Sequence, residues 1–186
     1  MECVKENQKM SISTIAIIGV MTAVTCVLGP LSVPIGVVPI SLTNFAVYCS
    51  VIILGGKRGT ISCLVYLLMG LVGVPVFSGF TSGPAKLFGP TGGYLIGFIF
   101  TALILGWFVD RYTGKVALYI VGMVIGTIVL YAMGTAWLAY QMEMTIEAAL
   151  WAGVIPFILG DIGKIVVAAI IAPMIRKQLL RAQLIA

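Results

Sequence analysis

Asp161 and Lys164 stand three residues apart within 154–175, a stretch otherwise almost wholly apolar and long enough to cross a bilayer. A charge at the centre of a membrane helix costs about 2.5–3.5 kcal/mol on insertion scales. The spacing puts both side chains on one helical face, separated by about 4.5 Å of rise. Opposite charges so placed persist only where they face a protein interior or a wet cavity, each finding the other or a polar ligand. Two readings meet that condition: a buried structural ion pair, or a substrate or ion site.

Other chemistries lack their residues. The sequence has no histidine, which excludes a His-based triad, and its four cysteines (Cys3, Cys26, Cys49, Cys63) lie at no metal-ligand spacing. They read as small packing residues, so neither a metal nor another cofactor is expected. A nucleophile elbow is also missing, and Asp161 is the one carboxylate inside a long apolar run, so the chain is not expected to be an enzyme.

The elements that must hold the pair follow from composition. The chain is 61% hydrophobic and 9% charged, with a mean hydropathy of +1.17, which places it among integral membrane proteins. Its 186 residues allow about six spans of ~20 residues and leave no polar stretch for a soluble unit, so one domain, 1–186, is expected. The apolar segments are 11–29, 40–55, 59–73, 94–109, 116–140 and 154–175. They are continuous rather than alternating, so helices are expected and a β-barrel is not. The first reads as a retained helix rather than a secretory signal.

The net charge of +5 is not spread as in a nucleic-acid binder, and no nucleic-acid partner is expected. Basic residues sit in short patches between apolar segments. Lys5 and Lys9 precede the first, Lys57 and Arg58 separate the second and third, Arg111 and Lys115 the fourth and fifth, and Arg176, Lys177 and Arg181 follow the sixth. With six spans, all of these fall on one side. The opposite side carries Lys86 with Glu143 and Glu147. By the positive-inside rule both termini are cytoplasmic. The tail, 176–186, is basic and partly amphipathic and reads as a membrane-surface anchor.

Two connections on the opposite side are distinctive. Segment 30–39 holds Pro30, Pro34 and Pro39 and no charge, which suggests a structured loop at the membrane surface. Segment 74–93 mixes Phe77 and Phe80 with repeated glycine and proline. Glycine lets backbone approach a ligand and proline fixes its course, so this loop reads as a lid or wall over a site. In the first apolar segment Ala16, Gly19 and Ala23 share a face on which another helix can approach closely.

Three motifs carry a family resemblance: Val38-Pro39-Ile40-Ser41-Leu42-Thr43-Asn44, Phe88-Gly89-Pro90-Thr91-Gly92-Gly93-Tyr94 and Gly160-Asp161-Ile162-Gly163-Lys164. In this order they resemble the BioY family, the biotin-specific S components of energy-coupling factor (ECF) transporters, over about 16–173. The resemblance implies an all-α bundle of six transmembrane helices in a prokaryotic cell membrane, with a cavity on the external side covered by the two loops. It also implies a membrane T component and two ABC-type ATPase subunits as partners, which suits a chain without a Walker A loop. Ala16, Gly19 and Ala23 then become the face that meets the T component.

With biotin as the implied ligand, Asp161, acceptor-only when ionised, suits the ureido N–H groups, and Lys164 the ureido carbonyl or the carboxylate. Thr81 and Ser82 supply hydroxyls, Gly92 lies in a loop whose backbone can come close, and Tyr94, with Phe77 and Phe80, can enclose the apolar rings. Thr43 and Asn44 close the cavity from the first-loop side. Some family members have an amide at Thr81, glutamine at Thr43 and arginine at Leu95; without that arginine, Lys86 is the substitute for the carboxylate. Rival readings are an S component for another small vitamin and an ion-coupled carrier that uses Asp161 and Lys164 as a relay.

Overall fold

A computed structural model describes residues 12–185 of the chain; Cys3, Lys5 and Lys9 lie outside them. Each apolar segment becomes a helix: α1 (Ile12–Leu28), α2 (Thr43–Leu54) and α3 (Gly56–Leu71), then, after a four-residue turn of helix α4 (Pro84–Leu87), α5 (Gly92–Arg111) and α6 (Val116–Gln141). A short α7 (Ile146–Gly153) precedes α8 (Ile155–Arg181). Among the described residues the fold is all-α apart from one small hairpin and an isolated bridge between Phe77 and Thr81. In the hairpin β1 (Ser32–Val33) pairs antiparallel with β2 (Ile40–Ser41), Ser32 opposite Ser41 and Val33 opposite Ile40.

Among the described residues, α5, α6 and α8 are long and apolar enough to cross a membrane by length and composition. The other three principal helices are shorter, with 17, 12 and 16 residues in α1, α2 and α3. At 1.5 Å per residue the shortest reaches about 18 Å, against a hydrocarbon core of about 30 Å. Its brevity has a packing reason. Every residue of α2 except Phe45 is buried, so this helix is surrounded by protein and has no polar face to turn outward. Tyr48, Val51 and Ile52 are among its fully buried side chains.

Two details differ from the pattern read in the sequence. The 30–39 connection folds into the β1–β2 hairpin, whose ladder is prolonged by the Leu42 N–H to the Leu31 carbonyl at 3.2 Å. The basic pair Lys57 and Arg58 lies in the first turn of α3 rather than in a loop, because α2 and α3 are joined by Gly55 alone. Gly55 turns the chain with φ 87°, a left-handed conformation that favours glycine.

That turn organises one end of the bundle. The Asp110 carboxylate, near the end of α5, accepts the Gly56 N–H at 2.9 Å and so caps α3 from a distant element. Arg176 of α8 donates to the Ile52 carbonyl of α2 at 2.8 Å. These bonds gather Lys57, Arg58, Arg111 and Arg176 at the same end. Helices α3 and α5 meet there backbone to backbone: a Cβ on Gly106 would lie 2.6 Å from the Gly56 Cα. Gly106→Val should therefore lower stability by about 1–3 kcal/mol through overpacking. Thermal melting in detergent checks this; an unchanged melting temperature would show that the two backbones can part freely.

Candidate functional site

Helix α8 presents Phe157, Asp161 and Lys164 as one stripe, at spacings of four and three residues, toward the start of α2. Asp161 is 4% exposed. Its Oδ1 receives Lys164 Nζ at 2.9 Å, and its Oδ2 receives the Tyr131 hydroxyl of α6 at 2.6 Å. Lys164 Nζ also donates to the Ser41 carbonyl at 2.7 Å and to Asn44 Oδ1 at 3.1 Å. The ammonium therefore spends its three N–H groups on three acceptors from the hairpin, α2 and α8. The carboxylate accepts two bonds and has room for more, since a carboxylate offers about four lone-pair positions. The pair is saturated on its cation and open on its anion, so its carboxylate can accept further N–H donors.

These groups line a pocket with about 570 Å³ of atom-free space, its open mouth included. Its walls are largely apolar: Leu95 and Phe98 from α5, Leu130 from α6, Phe157 from α8, and Val38 and Pro39 from the first loop. Gly97 lies against Leu130, where an added Cβ would come 3.3 Å from the Leu130 Cα, so the Leu130–Tyr131 step is level with Phe98. Ser78 and Thr91 contribute hydroxyl-bearing side chains from the second loop. The two loops touch each other, the Gly79 N–H donating to the Pro30 carbonyl at 3.1 Å.

The residues singled out in the sequence divide into two groups. Asp161, Lys164, Thr43, Asn44 and Tyr94 come together around the pocket. Thr43 is buried, its hydroxyl 3.0 Å from Ser41 Oγ. Tyr94 reaches across to α7, its hydroxyl donating to the Gly153 carbonyl at 3.1 Å, so it braces the α7–α8 junction as well as lining the wall. Thr81, Ser82, Lys86 and Gly92 do not line the pocket. Thr81 is exposed and donates to the Ser78 carbonyl at 2.9 Å, which tightens the loop. Lys86 is half-buried on α4, where desolvation lowers its pKa from the ordinary lysine value. Gly92 is buried beneath the Leu87 carbonyl. Phe77 is wholly buried edge-on to Tyr66, with ring centroids 5.8 Å apart, and Phe80 is exposed, so neither ring faces the pocket.

The chain matches the BioY family over residues 5–181. It belongs to that family. The biotin transporter BioY of Thermotoga maritima is 39% identical over 159 residues, covering 86% of this chain and 93% of that protein. The biotin transporter BioY2 of Lactococcus lactis subsp. cremoris is 33% identical over 163 residues, covering 88% of this chain and 90% of that protein. Among solved structures, the crystal structure of the S-component for biotin from an ECF-type ABC transporter superposes with a TM-score of 0.83 at 32% identity. That likeness covers 94% of this chain and 95% of the other.

Tyr131 is the polar residue that the BioY motifs leave out. It lies mid-way along α6 in an apolar run, and a tyrosine there carries no sign of its partner, which is 30 residues away. Phe98, Leu130 and Phe157 read equally well as packing or lipid-facing residues. The ion pair itself yields a stability test. Lys164→Met leaves the Asp161 carboxylate buried without its cation and should cost about 3–5 kcal/mol, whereas Asp161→Leu combined with Lys164→Met should recover most of that loss. Unfolding in detergent reads both; a double variant as damaged as the sum of its single changes would contradict a coupled pair.

Proposed function

We propose that this BioY-family chain is the biotin-binding S component of an ECF-type uptake transporter, a transport subunit and not an enzyme. The observation that carries the reading is the near full-length likeness to an S-component for biotin, at a TM-score of 0.83. The pocket chemistry supports it. Biotin joins a ureido ring, two N–H donors flanking a carbonyl, to an apolar bicycle and an acid tail. The open lone pairs of Asp161 match the N–H donors. The ureido carbonyl can take an N–H of Lys164 by replacing the Ser41 carbonyl or Asn44, and the aromatic and aliphatic walls match the bicycle.

The wider arrangement follows the same reading. The chain is one domain of six spans in a prokaryotic cell membrane, both termini cytoplasmic, with the short helices α1, α2 and α3 completing the set begun by α5, α6 and α8. The collection of basic residues at the Gly55 end supports that orientation. Ala16, Gly19 and Ala23 are exposed on α1, and nothing lies within 4 Å of a Cβ placed on Gly19. This face is the proposed contact for a T component, and two ABC-type ATPase subunits supply the energy.

Asp161→Asn keeps the shape of the side chain but replaces one acceptor oxygen by a donor. It should weaken biotin binding at least tenfold, about 1.4 kcal/mol, in titration calorimetry on the purified chain. Undiminished affinity in a folded variant would return the pair to a purely structural role.

A further inference from the structure

The first loop covers the pocket with one face, and its other face meets nothing among the described residues. Along the β1–β2 hairpin the side chains alternate. Val38 is buried and lines the pocket, whereas Leu31, Val33, Ile35 and Val37 are exposed. Apolar residues at every second position form a single outward face, as the period of an extended chain requires. Val24 and Val27, exposed on the last turns of α1, lead into it. Between Lys9 and Lys57 the sequence holds no charged residue at all.

Two helices measure how deep this face lies. The hairpin is rooted at Ser41, whose carbonyl receives Lys164 Nζ, and Lys164 stands nine residues from the start of α8 at Ile155, about 14 Å of rise. Asp161 ties that level to Tyr131 of α6, ten residues and about 15 Å from the end of α6 at Gln141. Past these ends come Glu143 and Glu147, both exposed, which mark the aqueous side. The root of the hairpin is therefore about 15 Å below water, half of a hydrocarbon core of about 30 Å.

The outward face stays near that level. The Leu31 carbonyl accepts the Leu42 N–H, and Val33 pairs with Ile40, so both lie beside the root. From Ser41 to Gly36 even a fully extended chain rises only about 17 Å, so the tip alone reaches the headgroups. Over the same interval α8, an apolar span, turns Leu159 (83% exposed) and Ile162 outward. Backbone in hydrocarbon must have its polar groups satisfied, and this segment suits that demand. Pro30, Pro34 and Pro39 have no N–H to satisfy, the strands pair with each other, and the Pro30 carbonyl accepts the Gly79 N–H.

We propose that the outer face of the β1–β2 hairpin is a lipid contact. Leu31 and Val33 lie among the acyl chains of the leaflet on the pocket side, with Ile35 and Val37 nearer its headgroups. The loop expected at the membrane surface thus sits within the membrane. The inference rests on α8 crossing the bilayer and not on the identity of the ligand. One consequence concerns the cover itself: displacing the hairpin moves an apolar face through lipid without bringing it into water, so opening carries no hydrophobic cost on that side.

The test places the full chain in phosphatidylcholine liposomes, its four native cysteines replaced by alanine, with a nitroxide on one introduced cysteine at a time. Leu31→Cys and Val33→Cys report on the hairpin, Leu159→Cys on the lipid-facing side of α8, and Glu147→Cys on the aqueous end. Oxygen, which concentrates in lipid, and a water-soluble nickel chelate serve as relaxing agents. The ratio of oxygen to nickel collisions at 31 and 33 should match that at 159 and exceed that at 147 severalfold. A ratio like that at 147 would put the hairpin in water. Low collision rates with both agents would show a face covered by protein, such as a second copy of the chain. Either result overturns the proposal. Without any label, Val33→Asp should lower the melting temperature of the liposome-bound chain, and an unchanged value would also overturn it. A water-like ratio at 159 would defeat the span reading of α8 together with the proposal, whereas biotin affinity in calorimetry bears on the ligand reading alone.

Discussion

One ammonium group sets the geometry of this protein's interior. Lys164 brings a charge into an apolar bundle, and a buried charge is stable only when its hydrogen-bonding capacity is filled. Its acceptors are the Asp161 carboxylate on its own helix, the Asn44 amide oxygen at the start of α2 and the Ser41 carbonyl at the end of the hairpin. Satisfying one side chain thereby fixes three elements relative to one another. It brings the first loop down over α8, and it explains why a helix as short as α2 starts where it does.

The same bonding makes the site asymmetric. The cation is filled and the carboxylate is not, so the pair presents spare acceptors to the pocket while Tyr131 aims the carboxylate from the third side. A ligand with N–H donors can bind without first breaking the ion pair; a ligand carbonyl must displace an acceptor that belongs to the hairpin or to α2. A ligand carbonyl that took the N–H now given to Ser41 would release the bond that tethers β2, and α8, the helix that carries the charges, also reaches the basic end of the bundle through Arg176.

Much of the arrangement could be read from residue order. The six apolar runs became the six principal helices, since a long apolar stretch in a membrane leaves the backbone no better way to satisfy its polar groups. Boundaries moved where tertiary partners intervened. Helix α3 begins at Gly56 because Asp110, 54 residues away, caps it. The hairpin in the proline-bearing loop escaped because its strands are two residues each, too short for a periodic signal. Of the eleven residues singled out around the ligand, five meet at the pocket. Those that do not, Phe77, Phe80, Thr81, Ser82, Lys86 and Gly92, come from segment 74–93, in which Phe77 is buried against Tyr66 instead of facing the pocket.

Taken alone, the residue order determines the membrane-helical class, the BioY family, the basic end, and the pairing of Asp161 with Lys164. These are local properties: hydropathy runs, motifs and a three-residue spacing each lie within a short window. Tertiary structure decides what the pair can do. Tyr131, Asn44 and Ser41 reach it from 30, 120 and 123 residues away, one of them through a backbone carbonyl that every residue possesses. Spare bonding capacity is a property of the assembled site, because it is what remains after every neighbour has taken its share.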